Sequence, residues 1–189
     1  ITVELAELEQ RLATLAALCP AHWQVTIVDE NVVVAGEAET IWPQFCRDYE
    51  TGQHQALYRE TGTVNLTDSP VPRFDLLDLG QYTTATLQFS RGCPYRCEFC
   101  GIIVMFGRKP RCKSVPQVER ELDALLAAGA SNAFFVDDNL IGNRPAAKQL
   151  LRALAAYQQR KGYPFRFGTE VSINIAQDAE LLQLMRDAR

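Results

Sequence analysis

Three cysteines, Cys93, Cys97 and Cys100, fall within eight residues, in the run Arg91-Gly92-Cys93-Pro94-Tyr95-Arg96-Cys97-Glu98-Phe99-Cys100. Their spacing is C-x3-C-x2-C. A disulfide scaffold would be shorter, richer in cysteine and secreted, with its bridges spread along the chain. Neighbouring thiols in a reducing compartment more often bind metal. Three thiolates on one tight loop can each hold one iron of a cubane cluster, which leaves the fourth iron without a protein ligand. Such an open metal position is where chemistry can be done, as in catalytic rather than structural sites. A structural zinc site wants four ligands, usually as paired C-x2-C knuckles. Here Cys112 is the only nearby fourth thiol, and it stands alone. The two-cluster ferredoxin run C-x2-C-x2-C-x3-C-P is absent. Cys19, Cys46 and Cys112 read as packing residues or free thiols.

The chain that carries this loop has 189 residues, enough for one domain or two small ones. With 47% apolar and 22% charged residues it has a globular composition, which excludes a disordered or fibrous protein. The net charge of -4, from 19 basic and 23 acidic residues, gives no electrostatic footprint for nucleic acid or anionic lipid. No apolar stretch nears the roughly 18 residues of a membrane span. The first residues lack the basic-then-apolar pattern of a signal peptide, so a soluble, cytoplasmic protein is expected. Ile1 is not a natural start, and the chain reads as a segment of a longer one. There is no nucleophile–base pair and no Gly-rich dinucleotide fingerprint, which disfavours a hydrolase or dehydrogenase.

Hydropathy patterning supplies the elements. Leu5, Leu8, Leu12 and Leu15 mark a helix over 3–18, and residues 23–29 alternate as a half-buried strand does. Residues 32–36 form a second β-branched run, and 40–49 a helix with Ile41, Phe45 and Tyr49 stacked. Residues 51–81, punctuated by Gly52, Gly62, Pro70, Pro72 and Gly80, read as a linker. From Tyr82 onward strands and helices alternate. Strands are predicted over 83–90, 133–136 (buried on both faces) and 164–171. Helices are predicted over 115–128, 145–161 and 178–188, the last with Leu181, Leu182 and Met185 toward the sheet. Three successive βα units imply a parallel sheet with helices outside it.

The run Arg91–Cys100 resembles the cluster loop of the radical S-adenosylmethionine (SAM) enzymes, down to the aromatic Phe99 before the last cysteine. The similarity continues through Phe135-Val136-Asp137-Asp138-Asn139-Leu140-Ile141-Gly142-Asn143 and Thr169-Glu170. It points to the branch in which the radical-SAM barrel follows a cobalamin-binding domain, and to bacterial members that include hopanoid C-2 methylases. The resemblance implies an α/β fold: an incomplete (βα)6-type partial barrel, of which residues 82–189 hold the first three βα units. A small truncated remnant of a cobalamin-binding domain precedes it over 1–50, joined by the linker 51–81.

It also implies that Cys93, Cys97 and Cys100 bind a [4Fe–4S] cluster whose fourth iron takes the amino and carboxylate groups of SAM. Reductive cleavage of SAM would release a 5′-deoxyadenosyl radical that takes hydrogen from substrate, for methyl transfer to an unactivated carbon. By position, Phe99 would contact the adenine through its backbone, and Asp138 and Asn139 would hold the methionine end of SAM. Glu170 and Ser172 would reach its ribose or amino group. All should converge at the carboxyl-terminal rim of the strands. A small, lipid-like substrate and a reductant such as flavodoxin or ferredoxin are the expected partners. The apolar run 102–106 would suit such a substrate, although core packing suits it better. Residues 1–50 lack the middle of a cobalamin domain, and the chain has no Asp-x-His-x-x-Gly run. Cobalamin is therefore expected of full-length relatives rather than of this chain.

Plainer readings stand beside these. Asp137, Asp138 and Asn139 are residue types that favour turn caps. Arg108, Lys109 and Arg111 form a short basic run of the kind that is usually solvated. The rival function is a non-catalytic iron–sulfur or zinc module, structural or electron-transferring.

Overall fold

A computed structural model describes residues 33–189. The helix expected over 3–18 and the strand over 23–29 lie outside these residues.

The described chain opens with a small unit. Strand β1 (Val33–Ala35) leads into helix α1 (Ala38–Glu50) and returns as strand β2 (Leu57–Arg59), which pairs in parallel with β1. Strand β2 lies inside the stretch read as a linker. Its centre, Tyr58, is buried and donates its hydroxyl to Asp48 of α1 at 2.9 Å. The rest of that stretch is built from three short 3-10 turns at Leu66–Asp68, Phe74–Leu76 and Leu79–Gln81. Leu66 and Phe74 are buried, the latter in the main core.

The larger unit carries strand β3 (Ala85–Leu87), a β-hairpin of strands β4 (Ser90–Arg91) and β5 (Arg111–Cys112), and between those two a short helix α2 (Ile102–Met105). Helix α3 (Val115–Ala127), strand β6 (Asn132–Phe135), helix α4 (Arg144–Lys161), strand β7 (Arg166–Thr169) and helix α5 (Ala179–Ala188) follow. Strands β3, β6 and β7 form a parallel sheet in that order. These are the three βα units expected. The helices bury the stripes their sequences predict: Val118, Leu122 and Leu125 from α3, and Leu150, Leu151, Leu154 and Tyr157 from α4. Each such aliphatic side chain contributes about 1.5–3 kcal/mol when fully buried.

Two expectations need correction. The strand 133–136 is not buried on both faces. Ala133 and Phe135 are buried beneath the helices, whereas Asn132, Phe134 and Val136 are half-buried. The reason is that helices cover one face of this sheet among the described residues. On the other face the Phe134 ring lies over Gly168, its register partner, where a Cβ would come within 2.8 Å of the ring. In α5, Leu182 is exposed, and Leu181 and Ala188 are the buried residues, with Leu184 and Met185 packed beside them. No helix of the described residues is long and apolar enough to cross a membrane.

Candidate metal centre

The thiol loop, residues 92–110, is the excursion between β4 and β5. Its base is fixed by the polar residues that follow β6. Positions 133, 135, 137 and 139 all point to the buried side, so the alternation of the strand carries the Asp137 carboxylate into the interior. There Asp137 accepts hydrogen bonds from Phe89 N (2.7 Å), Ser90 N (2.7 Å) and Ser90 Oγ (2.5 Å). Burial, together with the neighbouring Asp138 charge, outweighs these bonds and pushes its carboxyl up to about 6. Asp138, of opposite parity, accepts Gly92 N at 2.9 Å. Its carboxyl is also raised, chiefly by burial. Two adjacent carboxylates thus hold residues 89–92, immediately before Cys93.

Gly92 is required by the geometry. Its φ of +98° is a region that favours glycine, and a Cβ there would stand 3.0 Å from Gly107 O and 3.1 Å from Lys109 O. The two limbs of the loop therefore pass backbone against backbone. Cys93 N donates to Gly107 O at 3.3 Å, Cys100 N to Cys97 O at 3.1 Å, and Arg108 reaches Pro94 O at 3.0 Å.

Cys93, Cys97 and Cys100 are free thiols, Cys97 exposed and the other two half-buried. Among the described residues no three His, Cys, Asp or Glu side chains are gathered around a point that would hold a single ion. Three free thiols on one loop fit a cubane cluster in chemistry and number, one thiolate to each of three irons. Cys112 stands outside the loop on β5, opposite Ser90, where burial and the Asp137 charge push its thiol up to about 11. It packs against the core, as expected.

The same rim carries a second set of polar groups. Asn139 Nδ2 donates to Ser172 Oγ at 3.0 Å, and Ser172 N donates back to Asn139 Oδ1 at 3.3 Å. Ser172 Oγ donates to Asn174 Oδ1 at 2.8 Å, and Asn174 Nδ2 donates to the Tyr95 hydroxyl of the thiol loop. Bonding from Asn174 holds the Tyr95 phenol below its ordinary value, and Arg144 adds to this. Of the predicted SAM contacts, then, Asn139 and Ser172 touch each other, and Asp138 touches the thiol loop. Phe99 is 93% exposed, and Glu170 is exposed with its carbonyl accepting Leu140 N.

Arg111 departs from the solvated basic run, while Arg108 and Lys109 are exposed as expected. Its guanidinium meets Glu37 at 2.8 Å, and its Nε is buried without a partner. Tyr95, Asn174, Arg91, Arg111, Glu37 and Asp137 were not singled out as site residues by sequence. Strand parity alone marks Asp137; the others meet through contacts distant in sequence. The run 102–106 is also not core: Val104 is 87% and Met105 66% exposed.

No family model matches the chain. It is 46% identical over 156 residues to an uncharacterised methyltransferase of Synechocystis sp., covering 82% of this chain and 29% of that protein. It is 39% identical over 142 residues to the hopanoid C-2 methylase of Rhodopseudomonas palustris, covering 75% and 27%. Among solved structures, the cobalamin-dependent S-adenosylmethionine radical enzyme OxsB, with aqua-cobalamin and S-adenosylmethionine bound, aligns at TM-score 0.56 and 18% identity, over 83% of this chain and 29% of that one. The chain thus spans less than a third of the length of each of these three proteins. It is similar to part of the hopanoid C-2 methylase and shares its fold with part of OxsB.

Proposed function

We propose that Cys93, Cys97 and Cys100 hold a [4Fe–4S] cluster, and that the protein this chain represents uses it with SAM for radical methyl transfer. When bound, the cluster would supply the electron that splits one SAM into methionine and a 5′-deoxyadenosyl radical; that cleavage leaves the methyl on methionine, so the transferred methyl group would come from a second SAM. The observation that carries the reading is placement. Three free thiols and the Asn139–Ser172–Asn174–Tyr95 chain occupy one end of a parallel sheet, the end where barrel active sites lie.

Roles follow from the geometry. Asp138 has one carboxylate oxygen on Gly92 N, and its other oxygen can accept from the SAM amino group. Asn139 and Ser172, already paired, offer donors and acceptors to the methionine end and the ribose, with Glu170 beside them. Phe99 would meet the adenine through its backbone. The exposed Val104 and Met105 favour an apolar, lipid-like substrate. A small reductant protein such as flavodoxin or ferredoxin would deliver the electron. Cobalamin, which the OxsB neighbour holds, is proposed for the longer relatives and not for this chain.

Anaerobic reconstitution with iron and sulfide tests the reading. About four irons per chain are expected, with an electron paramagnetic resonance signal that shifts on adding SAM. Replacing Cys93, Cys97 or Cys100 by Ala should abolish that signal, and Cys112→Ala should keep it. A colourless protein with tightly held zinc would overturn the proposal, and a cluster indifferent to SAM would reduce it to electron transfer.

A further inference from the structure

The base of the thiol loop presents an electrostatic problem. Strands β4 and β5 place Arg91 directly opposite Arg111, and like charges so paired destabilise a hairpin. Both side chains are largely withdrawn from water, each 17% exposed. The small amino-terminal unit supplies the remedy. Glu37, itself 7% exposed at its side chain, accepts Arg91 NH1 at 2.8 Å on Oε2 and Arg111 NH1 at 2.9 Å on the same oxygen. Its Oε1 accepts Arg111 NH2 at 2.8 Å. Glu39 Oε1 takes Arg91 NH2 at 2.7 Å and the Ser69 hydroxyl at 2.9 Å. Gln88 takes Arg91 Nε at 2.7 Å, while Arg111 also donates to Val64 O and Phe106 O. Gly92, wedged between Gly107 and Lys109, follows Arg91 directly, and Cys93 comes next.

We infer that Glu37 is a positioning residue for the thiol loop: its carboxylate bridges two facing arginines and so closes the hairpin base from which the three cysteines project. Glu39 and Arg91 act with it. The amino-terminal βαβ unit is thereby part of the machinery that shapes the site, although it contributes no ligand. The inference builds on the cluster reading, but its first test does not require that reading.

In the metal-free 189-residue chain, alkylation of each cysteine by iodoacetamide is followed by mass spectrometry, alongside hydrogen exchange of α4, which lies away from the clamp. Glu37→Gln puts a neutral amide between the two arginines, Arg91 keeping Glu39 and Arg111 losing its only carboxylate partner among the described residues. It should speed alkylation of the half-buried Cys93 and Cys100 by about ten-fold, the change expected from losing a partly buried charge-assisted bond. Exchange in α4 should stay within about two-fold of the parent, and Asp75→Asn, which removes the exposed pair with Arg73, should change neither. Arg91→Lys, which keeps the charge but loses the fork, should fall between them. Unchanged alkylation in Glu37→Gln overturns the inference. So does faster exchange in α4 matched to the faster alkylation, because the residue would then support only the fold. A second readout uses the reconstituted protein: Glu37→Gln should release iron to a chelator at least about five-fold faster. If the parent chain takes up no iron, the functional reading fails, while the alkylation result still decides the role of Glu37.

Discussion

Asp137 and Asp138 are neighbours with the same side chain, and the structure makes opposite demands on them. Asp137 uses both oxygens on three donors in a site 2% exposed to solvent. An asparagine there must turn its NH2 toward Phe89 N or the Ser90 donors, so one buried donor meets another. Asp137→Asn should therefore cost about 2–3 kcal/mol in urea unfolding at pH 7. Asp138 accepts a single backbone donor, Gly92 N, which an asparagine oxygen can also serve. Asp138→Asn should cost under about 1 kcal/mol. Equal losses from the two would show that strand parity does not divide their roles. The triplet 137–139 was legible as the polar end of a strand, and the turn-cap alternative is not what its side chains do. The division of labour was legible only in part, because it depends on which residues arrive from β4 and from the turn after β7.

The helices were readable because their stripes are local. Predicted spans of 115–128, 145–161 and 178–188 differ by one residue at one end from α3, α4 and α5. Strands were less readable for reasons that lie outside their own sequences. The run 83–90 breaks into β3 and β4 because Asp137 captures the Phe89 and Ser90 amides and turns the chain out of the parallel ladder. Strand β2 is three residues long and owes its place to β1, more than twenty positions away.

Helix α3 contains a further non-local feature that its apolar stripe conceals. Glu121, fully buried, pairs with Lys113 at 2.5 Å, and its second oxygen has no partner. Burial raises the Glu121 carboxyl even with Lys113 beside it. Removing one partner strands a buried charge, so Lys113→Met should cost about 3–5 kcal/mol. The double variant Lys113→Met, Glu121→Leu should regain most of that, because an apolar pair of similar volume needs no desolvation. Urea unfolding of both variants measures the difference. A double variant as unstable as the single one would mean that the helix depends on the ion pair itself.

At the scale of the whole molecule, these carboxylates divide into two groups that oppose one another as pH changes. Burial raises the Glu39 carboxyl, but the bonds and charge of Arg91 win and its net shift is downward; Asp178 and Glu180 are also lowered, by the Leu181 amide and by Lys148 respectively. A carboxyl lowered in the fold contributes stability above its unfolded value near 4, and that contribution is lost as acid protonates it. Asp137 has the opposite sign. Raised to about 6 from an ordinary 3.8, it binds its proton more tightly in the folded chain than in the unfolded one. Between about pH 4 and pH 6 the native state then holds more protons than the unfolded state, so stability falls as pH rises through that window. A shift of roughly two pH units corresponds to about 3 kcal/mol. The protonated carboxyl has an acceptor ready, since the Ser90 hydroxyl can reverse its bond. The thermal midpoint of the metal-free chain should accordingly rise on going from pH 7 to pH 5 and fall again below about pH 4. Asp137→Asn should reduce the rise, the remainder belonging to Asp138 and Glu121, whose carboxyls burial also raises, and should keep the acid fall. A midpoint that declines steadily from pH 7 in the parent chain would mean that the three donors, rather than burial, govern Asp137, and that the base of the thiol loop carries a full negative charge at neutral pH.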